Sequence, residues 1–161
     1  MEWKEELQQH TKEAEKVVQG YLPEETGHQK LLIEASNYSV LVGGKRLRPM
    51  IMLESFKAFG GTGNVVEPFM AALEMIHSGS LVHDDLPCMD NDEYRRGNLT
   101  TWKKYGYDMA VLAGDKLFIY AFEIAAKAFA LTDRADLVGK AISILANKAG
   151  IYGMIGGQSV D

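Results

Sequence analysis

The chain has 161 residues, with 17 Lys and Arg against 22 Asp and Glu, a formal net charge of −5, one cysteine and 47% hydrophobic residues. That length and apolar fraction suffice for one domain with a buried core. The acidic balance argues against a phosphate-gripping nucleic-acid binder, and a lone Cys88 excludes both an internal disulfide framework and a cysteine-cluster zinc site. The start, Met1-Glu2-Trp3-Lys4-Glu5-Glu6, has no apolar signal core and no apolar run could span a bilayer, so a soluble, cytoplasmic chain is expected.

Nearly every apolar segment repeats with helical period. In the first, Trp3, Leu7, Ala14, Val17 and Val18 share a face, and Leu22-Pro23 ends it. A second helix is predicted over residues 28–42, with Leu31, Leu32, Ala35, Tyr38, Leu41 and Val42 inward, stopped by Gly43-Gly44. Pro49 suits the first turn of a third, carrying Met50, Leu53, Phe56 and Phe59 and closed by Gly60-Gly61-Thr62-Gly63. Asn64 and Glu67 have capping-box spacing ahead of a fourth helix, with Pro68 in its first turn and its end near Asp84. The polar, charge-dense stretch from Leu86 to Gly97 reads as a loop. Two more helices fit residues 108–131, with Leu112, Ile119, Phe122, Ala126 and Phe129 on one side, and 135–152. Strand alternation is nowhere sustained and no unit repeats, so the fold class is all-α, a single helical domain over 1–161. The sequence stops at Gly156-Gly157-Gln158-Ser159-Val160-Asp161 without a helix stop, as though cut in mid-structure.

The strongest chemical signal is His83-Asp84-Asp85-Leu86-Pro87-Cys88-Met89-Asp90-Asn91-Asp92-Glu93, five acidic side chains within ten residues. Two carboxylates about 4 Å apart repel by roughly 4 kcal/mol at an effective dielectric near 20, so a cation must offset them. An oxygen-only set favours hard Mg2+, which takes one or two carboxylates plus substrate phosphates. The competing reading is a solvated acidic run, which fits Asp92 and Glu93. Asp84 and Asp85 instead end an apolar helix, where half-filled coordination is possible.

The second signal is Gly43-Gly44-Lys45-Arg46-Leu47-Arg48-Pro49. Exposed N–H groups, a positive helix end and three cations make an anion site, although a basic surface turn would look the same. The G-x-x-x-x-G-K-[ST] spacing of a Walker loop is absent. Arg95-Arg96-Gly97 follows the acidic run, either neutralising it or binding anions. His77 lies seven residues before Asp84, on nearly the same helix face. A metal-bridged diphosphate between carboxylates and arginines is the simplest chemistry that uses all four elements.

These runs, together with Gly153-Met154-Ile155-Gly156-Gly157-Gln158-Ser159-Val160-Asp161, resemble the trans-isoprenyl diphosphate synthases, most closely the bacterial short-chain farnesyl and geranylgeranyl diphosphate synthases. The resemblance covers almost the whole chain with four motifs in order. It implies helices around a central cavity, a homodimer, and head-to-tail condensation of isopentenyl diphosphate with an allylic diphosphate. By motif match, Asp84, Asp85 and Asp90 would hold Mg2+ against the allylic diphosphate, which Arg95 would also contact. Gly44, Lys45, Arg48, His77 and Arg96 would bind isopentenyl diphosphate. Gln158 and Asp161 match the later motif that backs the allylic site. No nucleophile is implied, which leaves Cys88 a loop residue.

Two departures qualify the resemblance. Asp84-Asp85 is the only adjacent aspartate pair, so the second aspartate-rich motif of such synthases is absent from these residues. The sequence is therefore expected to be the N-terminal portion of a synthase, inactive alone and exposing apolar helix faces. The second concerns product length: where farnesyl-type members commonly carry an aromatic five residues before the first aspartate, this chain has Gly79, then Ser80. The cavity floor is thus expected to be open, leaning towards C20 rather than C15, unless Met75 or Met109 closes it. Gly79→Tyr would then shorten the product. A terpene cyclase would use the aspartates but not the second clamp. A non-catalytic regulatory subunit need not keep the aspartates, and a plain helical module explains none of the motifs.

Overall fold

The computed structural model describes residues 2–161. Its helices in chain order are α1 (Glu2–Gly20), α2 (Lys30–Leu41), α3 (Leu47–Ala58), α4 (Glu67–Asp84), α5 (Thr101–Tyr105), α6 (Tyr107–Ala126), α7 (Ala135–Ala149) and α8 (Met154–Gln158). A 3-10 helix over Lys127–Leu131 extends α6, and a hairpin of β1 (Tyr94–Arg95) and β2 (Asn98–Leu99) stands between α4 and α5. The all-α expectation holds, and no helix among the described residues is long and apolar enough to cross a membrane.

The core forms around α4 and α6. His83 approaches the Val111 carbonyl while Gly79 faces Leu117, so the two helices run antiparallel. Their contact is close because small residues line it. A Cβ built on Gly79 would sit 3.2 Å from Leu117 Cβ and 3.3 Å from the Gly114 carbonyl oxygen, tighter than ordinary packing. Met75, Leu117 and Ile124 are fully buried in this core, each stabilising it by roughly 2 kcal/mol relative to exposure. On the far side of α4, α1 and α3 complete a second cluster of Ala14, Met50, Val66 and Met70.

Several sequence expectations change here. The buried stripe of α6 is Ala110, Ala113, Gly114, Leu117, Ala121, Ile124 and Ala125, whereas Leu112, Ile119 and Phe129, predicted inward, are exposed. The close α4 contact selects side chains by size, and the larger apolar groups are left on the opposite face. Trp3, Leu7, Leu31, Leu41 and Phe59 are likewise exposed. The capping box does not form: no side chain caps α4, and the Glu67 N–H donates to the Asn64 backbone carbonyl instead. The predicted loop, residues 86–97, contains β1 and the turn of the hairpin, while β2 lies just beyond it; the two-residue turn has Arg96 at φ 54° and Gly97 at φ 80°. Positive φ at both positions matches the right-handed twist of the strands, and glycine adopts it at no steric cost. Ile144, Ile151, Tyr152 and Ile155 are exposed on α7, α8 and the turn between them, in line with the expected exposure of apolar helix faces.

Candidate functional site

Two polar centres lie along α4, joined by apolar space. The first surrounds the start of α3, where a pocket of about 330 Å3 is lined by Gly44, Lys45, Arg46, Leu47, Arg48, Glu74, His77 and Arg96. Every residue expected to bind isopentenyl diphosphate is therefore in one wall. Arg48 Nη1 lies 3.3 Å from His77 Nε2, and Arg96 donates to the Gly43 carbonyl, which brings the hairpin against the glycine pair. Burial pushes the His77 imidazole below its ordinary value, and Arg48, Arg96 and Arg95 add to this, with Glu74 opposing. A histidine kept neutral among arginines leaves the pocket's positive charge to Lys45, Arg48 and Arg96.

Arg46, which sequence could not tell from its neighbours, turns inward. It is 2% exposed and donates to Glu74 Oε1 at 2.8 Å. Only Lys45 and Arg48, both exposed, remain of the three cations to meet an anion.

The second centre is the C-terminal end of α4. Arg95 donates from Nε to both Asp85 oxygens at 2.8 and 3.0 Å, with Nη2 2.6 Å from Oδ1 and 3.5 Å from Asp84 Oδ2. Asp85 is buried, and desolvation pushes its carboxyl above the ordinary Asp range even though Arg95 pulls it down. The same contact holds the Arg95 guanidinium above its usual value, so the pair is favourable for the arginine while burial penalises the carboxylate. Asp84 accepts a hydrogen bond from Gln158 Nε2 at 3.1 Å, which brings the start and end of the candidate site together across 74 residues. The Asp90 N–H donates to the Asp84 carbonyl, placing an exposed Asp90 one turn away. Asp161 is exposed and outside the cavity wall.

Asp84 opens onto a cavity of about 870 Å3 lined by Ser80, Leu81, Leu86, Met89, Val111, Phe118 and Met154, among others. A second space of about 420 Å3 lies between the two, sharing Arg48 and His77 with the basic pocket and Ser80, Leu81 and Met154 with this cavity. The seven-residue spacing of His77 and Asp84 thus marks two stations on one wall. Ser80 lines the cavity. Gly79 does not: it faces α6, so the expected open floor at that position is replaced by helix packing. Met75 is fully buried in the core, and neither it nor Met109 lines the cavity. Phe118 does so instead, stacked edge-on against His83 with ring centroids 5.5 Å apart.

Residues 29–161 match the family described as polyprenyl synthetase. The chain belongs to the polyprenyl synthetase family. Among its relatives, geranylgeranyl diphosphate synthase of Cyanophora paradoxa is 46% identical over 135 residues, covering 84% of this chain and 45% of that protein. Farnesyl diphosphate synthase of Micrococcus luteus is 44% identical over 133 residues, covering 83% and 45% respectively. The crystal structure of an FPP/GFPP synthase from Zymomonas mobilis superposes with a TM-score of 0.90 at 35% identity, over 98% of this chain and 56% of that one. This polyprenyl synthetase chain spans about half the length of the relatives it matches.

The acidic end suits a hard divalent cation. Its free donors are all oxygens, and Asp84 and Asp85 sit at the negative end of α4, where acidic groups are least favoured without a counter-charge. Arg95 supplies that charge closely to Asp85 and at 3.5 Å to Asp84, one guanidinium shared between two carboxylates, with Asp90 exposed beside them. Among the described residues no three His, Cys, Asp or Glu side chains converge as a complete protein site. One or two carboxylates awaiting substrate phosphates fit Mg2+, which rarely takes an all-protein cage.

Sequence reasoning also missed His83 and Asp115, both in the cavity wall, with His83 Nε2 3.7 Å from Asp115 Oδ1. Their signal was the antiparallel pairing of α4 and α6, which one sequence does not display.

Proposed function

We propose that this chain forms the substrate-binding half of a trans-prenyltransferase that condenses isopentenyl diphosphate with an allylic diphosphate to give a C15 or C20 diphosphate plus pyrophosphate. The observation that carries the reading is the row of adjoining spaces along α4, from the basic pocket past apolar walls to the acidic rim. Each substrate of such a reaction has one anionic head and one apolar tail, and the row offers two polar ends with a greasy interval.

In this reading, Lys45, Arg48 and Arg96 grip the isopentenyl diphosphate, and neutral His77 adds a hydrogen bond without further charge. Gly44, against the Arg96 guanidinium, lets the backbone approach the phosphates. Arg95 faces the allylic diphosphate, held in aim by Asp85, which acts as a positioning residue more than as a ligand. Asp84 and Asp90 would hold Mg2+, which when bound supplies positive charge to the departing pyrophosphate. The allylic C–O bond breaks with both electrons going to pyrophosphate. The isopentenyl double bond supplies the pair for the new C–C bond, and a proton is then lost, in this reading to pyrophosphate. Holding both partners in one cleft adds to the acceleration, and the apolar wall of Leu81, Val111 and Phe118 keeps water from the cation. Gln158 fixes the Asp84 carboxylate, and Asp161 belongs to the same motif.

The basic pocket is what a terpene cyclase would not need. The exposed Leu112 and Ile119 on α6 support a homodimer. The second aspartate-rich motif is not among these 161 residues, so they are expected to bind substrates without turning them over. Calorimetric titration with isopentenyl diphosphate tests the reading. Binding that Lys45→Ala or Arg48→Ala abolishes supports it, whereas no binding sinks it. Turnover by residues 1–161 alone would overturn the inactivity.

A further inference from the structure

Arg46 stands out as a cation in an anion-binding pocket that no anion can reach. Its backbone is left-handed, with φ 49°, a region that L side chains other than Asn and Asp adopt at a cost. The side chain enters the interior, where Nη1 donates to Glu74 Oε1 at 2.8 Å and Nη2 donates to the Val40 carbonyl of α2. Nη2 also lies 3.5 Å from Glu15 Oε1 of α1. Arg46 and Glu74 are 2% and 3% exposed. Desolvating such a pair costs several kcal/mol per ion, so simple stability is a poor account of why it is there.

Its position offers a better one. Arg46 is the N-cap residue of α3, and its carbonyl accepts from the Met50 N–H. Lys45 precedes it and Arg48 follows within the first turn. Glu74 lies one turn before His77 on α4, and His77 meets Arg48. The contacts therefore close a ring from Arg46 to Glu74, along α4 to His77, across to Arg48, and back through the first turn of α3.

We propose that the Arg46–Glu74 ion pair is a positioning device for the diphosphate clamp: it fixes the start of α3 against α4, and thereby the spacing of Lys45, Arg48 and His77, without touching the substrate. This rests on the isopentenyl diphosphate reading of the basic pocket. Glu74 also supplies the one buried negative charge in a wall that holds Lys45, Arg46, Arg48 and Arg96, so the clamp stays assembled before an anion arrives. The left-handed backbone at Arg46 accompanies this arrangement, with the guanidinium turned inward and its two cationic neighbours exposed.

The test measures isopentenyl diphosphate affinity by calorimetry without Mg2+, thermal melting, and the His77 imidazole titration by NMR. Glu74→Gln removes the charge but keeps an acceptor. The double variant Arg46→Met with Glu74→Met replaces the pair by apolar groups of similar volume, a change that cores tolerate. Both variants are expected to bind about tenfold more weakly, because misplacing a clamp by a fraction of an ångström is enough. The double variant should melt near the unaltered chain, and in Glu74→Gln the His77 titration should move further down. A folded double variant with unchanged affinity overturns the proposal, as does a Glu74→Gln chain whose affinity and His77 titration are both unmoved. Failure of the functional reading is seen elsewhere: the unaltered chain would then bind neither isopentenyl diphosphate nor inorganic pyrophosphate, and the proposal would fall with it.

Discussion

The two charged centres along α4, one at its middle and one at its C-terminal end, are built on opposite plans. Around Glu74 and His77, the counter-charge is inside the protein: Glu74 is buried and neutralises Arg46, while Lys45 and Arg48 remain exposed. At Asp84 and Asp85 a single cation, Arg95, serves both: the inner carboxylate takes it at 2.6 Å, and the outer one, 3.5 Å from it, faces a cavity and accepts from the Gln158 amide. The basic centre is thus assembled in advance, whereas the acidic centre sets Asp84 and Asp85 against one arginine and has room for further positive charge. A site that must accept one substrate with bare cations and the other with a metal would be arranged this way.

The strongest way to break the contrast is to separate α4 from α6 between the two centres. Gly79→Tyr would drive a ring into Leu117, Gly114 and Phe118, and a loss of about 3 kcal/mol or more is expected, a fall of roughly 6–12 °C in melting temperature. A folded Gly79→Tyr with an unchanged melting point would show that the contact is looser than described.

Next in size, Arg95→Ala should cost about 2 kcal/mol, because it strands the Asp85 carboxylate where water is scarce. Lys45→Ala, at an exposed cation, should change stability by less than about 0.5 kcal/mol while weakening diphosphate binding. Denaturant titration of the two variants checks this, and equal losses would erase the distinction between supported and free cations.

A third measurement separates the two aspartates. Mg2+ with pyrophosphate at about 100 times the dissociation constant should stabilise the chain by about 2–3 kcal/mol. Asp84→Asn and Asp90→Asn should lose most of that shift, while Asp85→Asn should keep a larger part of it. Equal losses in all three would return Asp85 to the ligands.

The smallest effect is a pH dependence. His77 has a depressed value, so its contribution to stability is present above its ordinary value of 6.5 and is lost as pH falls through the lowered one. Relative to His77→Gln, the unaltered chain should lose about 1–2 °C of melting temperature on acidification, the half-exposed ring keeping the effect small. The opposite slope would mean that His77 is charged within the clamp.

How much of this could be read beforehand depended on whether the signal was local. α4 was legible because Pro68 opens it, Asp84 ends it, and a seven-residue step carries His77 to Asp84. The members of the basic pocket were legible as well, since glycines and cations announce an anion site. What stayed hidden was set by partners distant in sequence. The inward stripe of α6 is rich in alanine because α4 comes close, and without α4 the larger Leu112 and Ile119 looked like the better core. Nothing local separates Arg46 from Lys45, as only Glu74 decides which one turns in. The hairpin was missed because Arg-Gly is not the Asn-Gly or Asp-Gly pair that usually marks such a turn.

The turn has one further consequence. Arg95, on the strand, reaches Asp85, while Arg96, at the corner, reaches the Gly43 carbonyl. Neighbouring Cα atoms are held about 3.8 Å apart by covalent geometry alone. The two polar centres are therefore tied by a single peptide link, a ruler that neither temperature nor ligand can stretch, and whatever tilts the hairpin must shift both grips together.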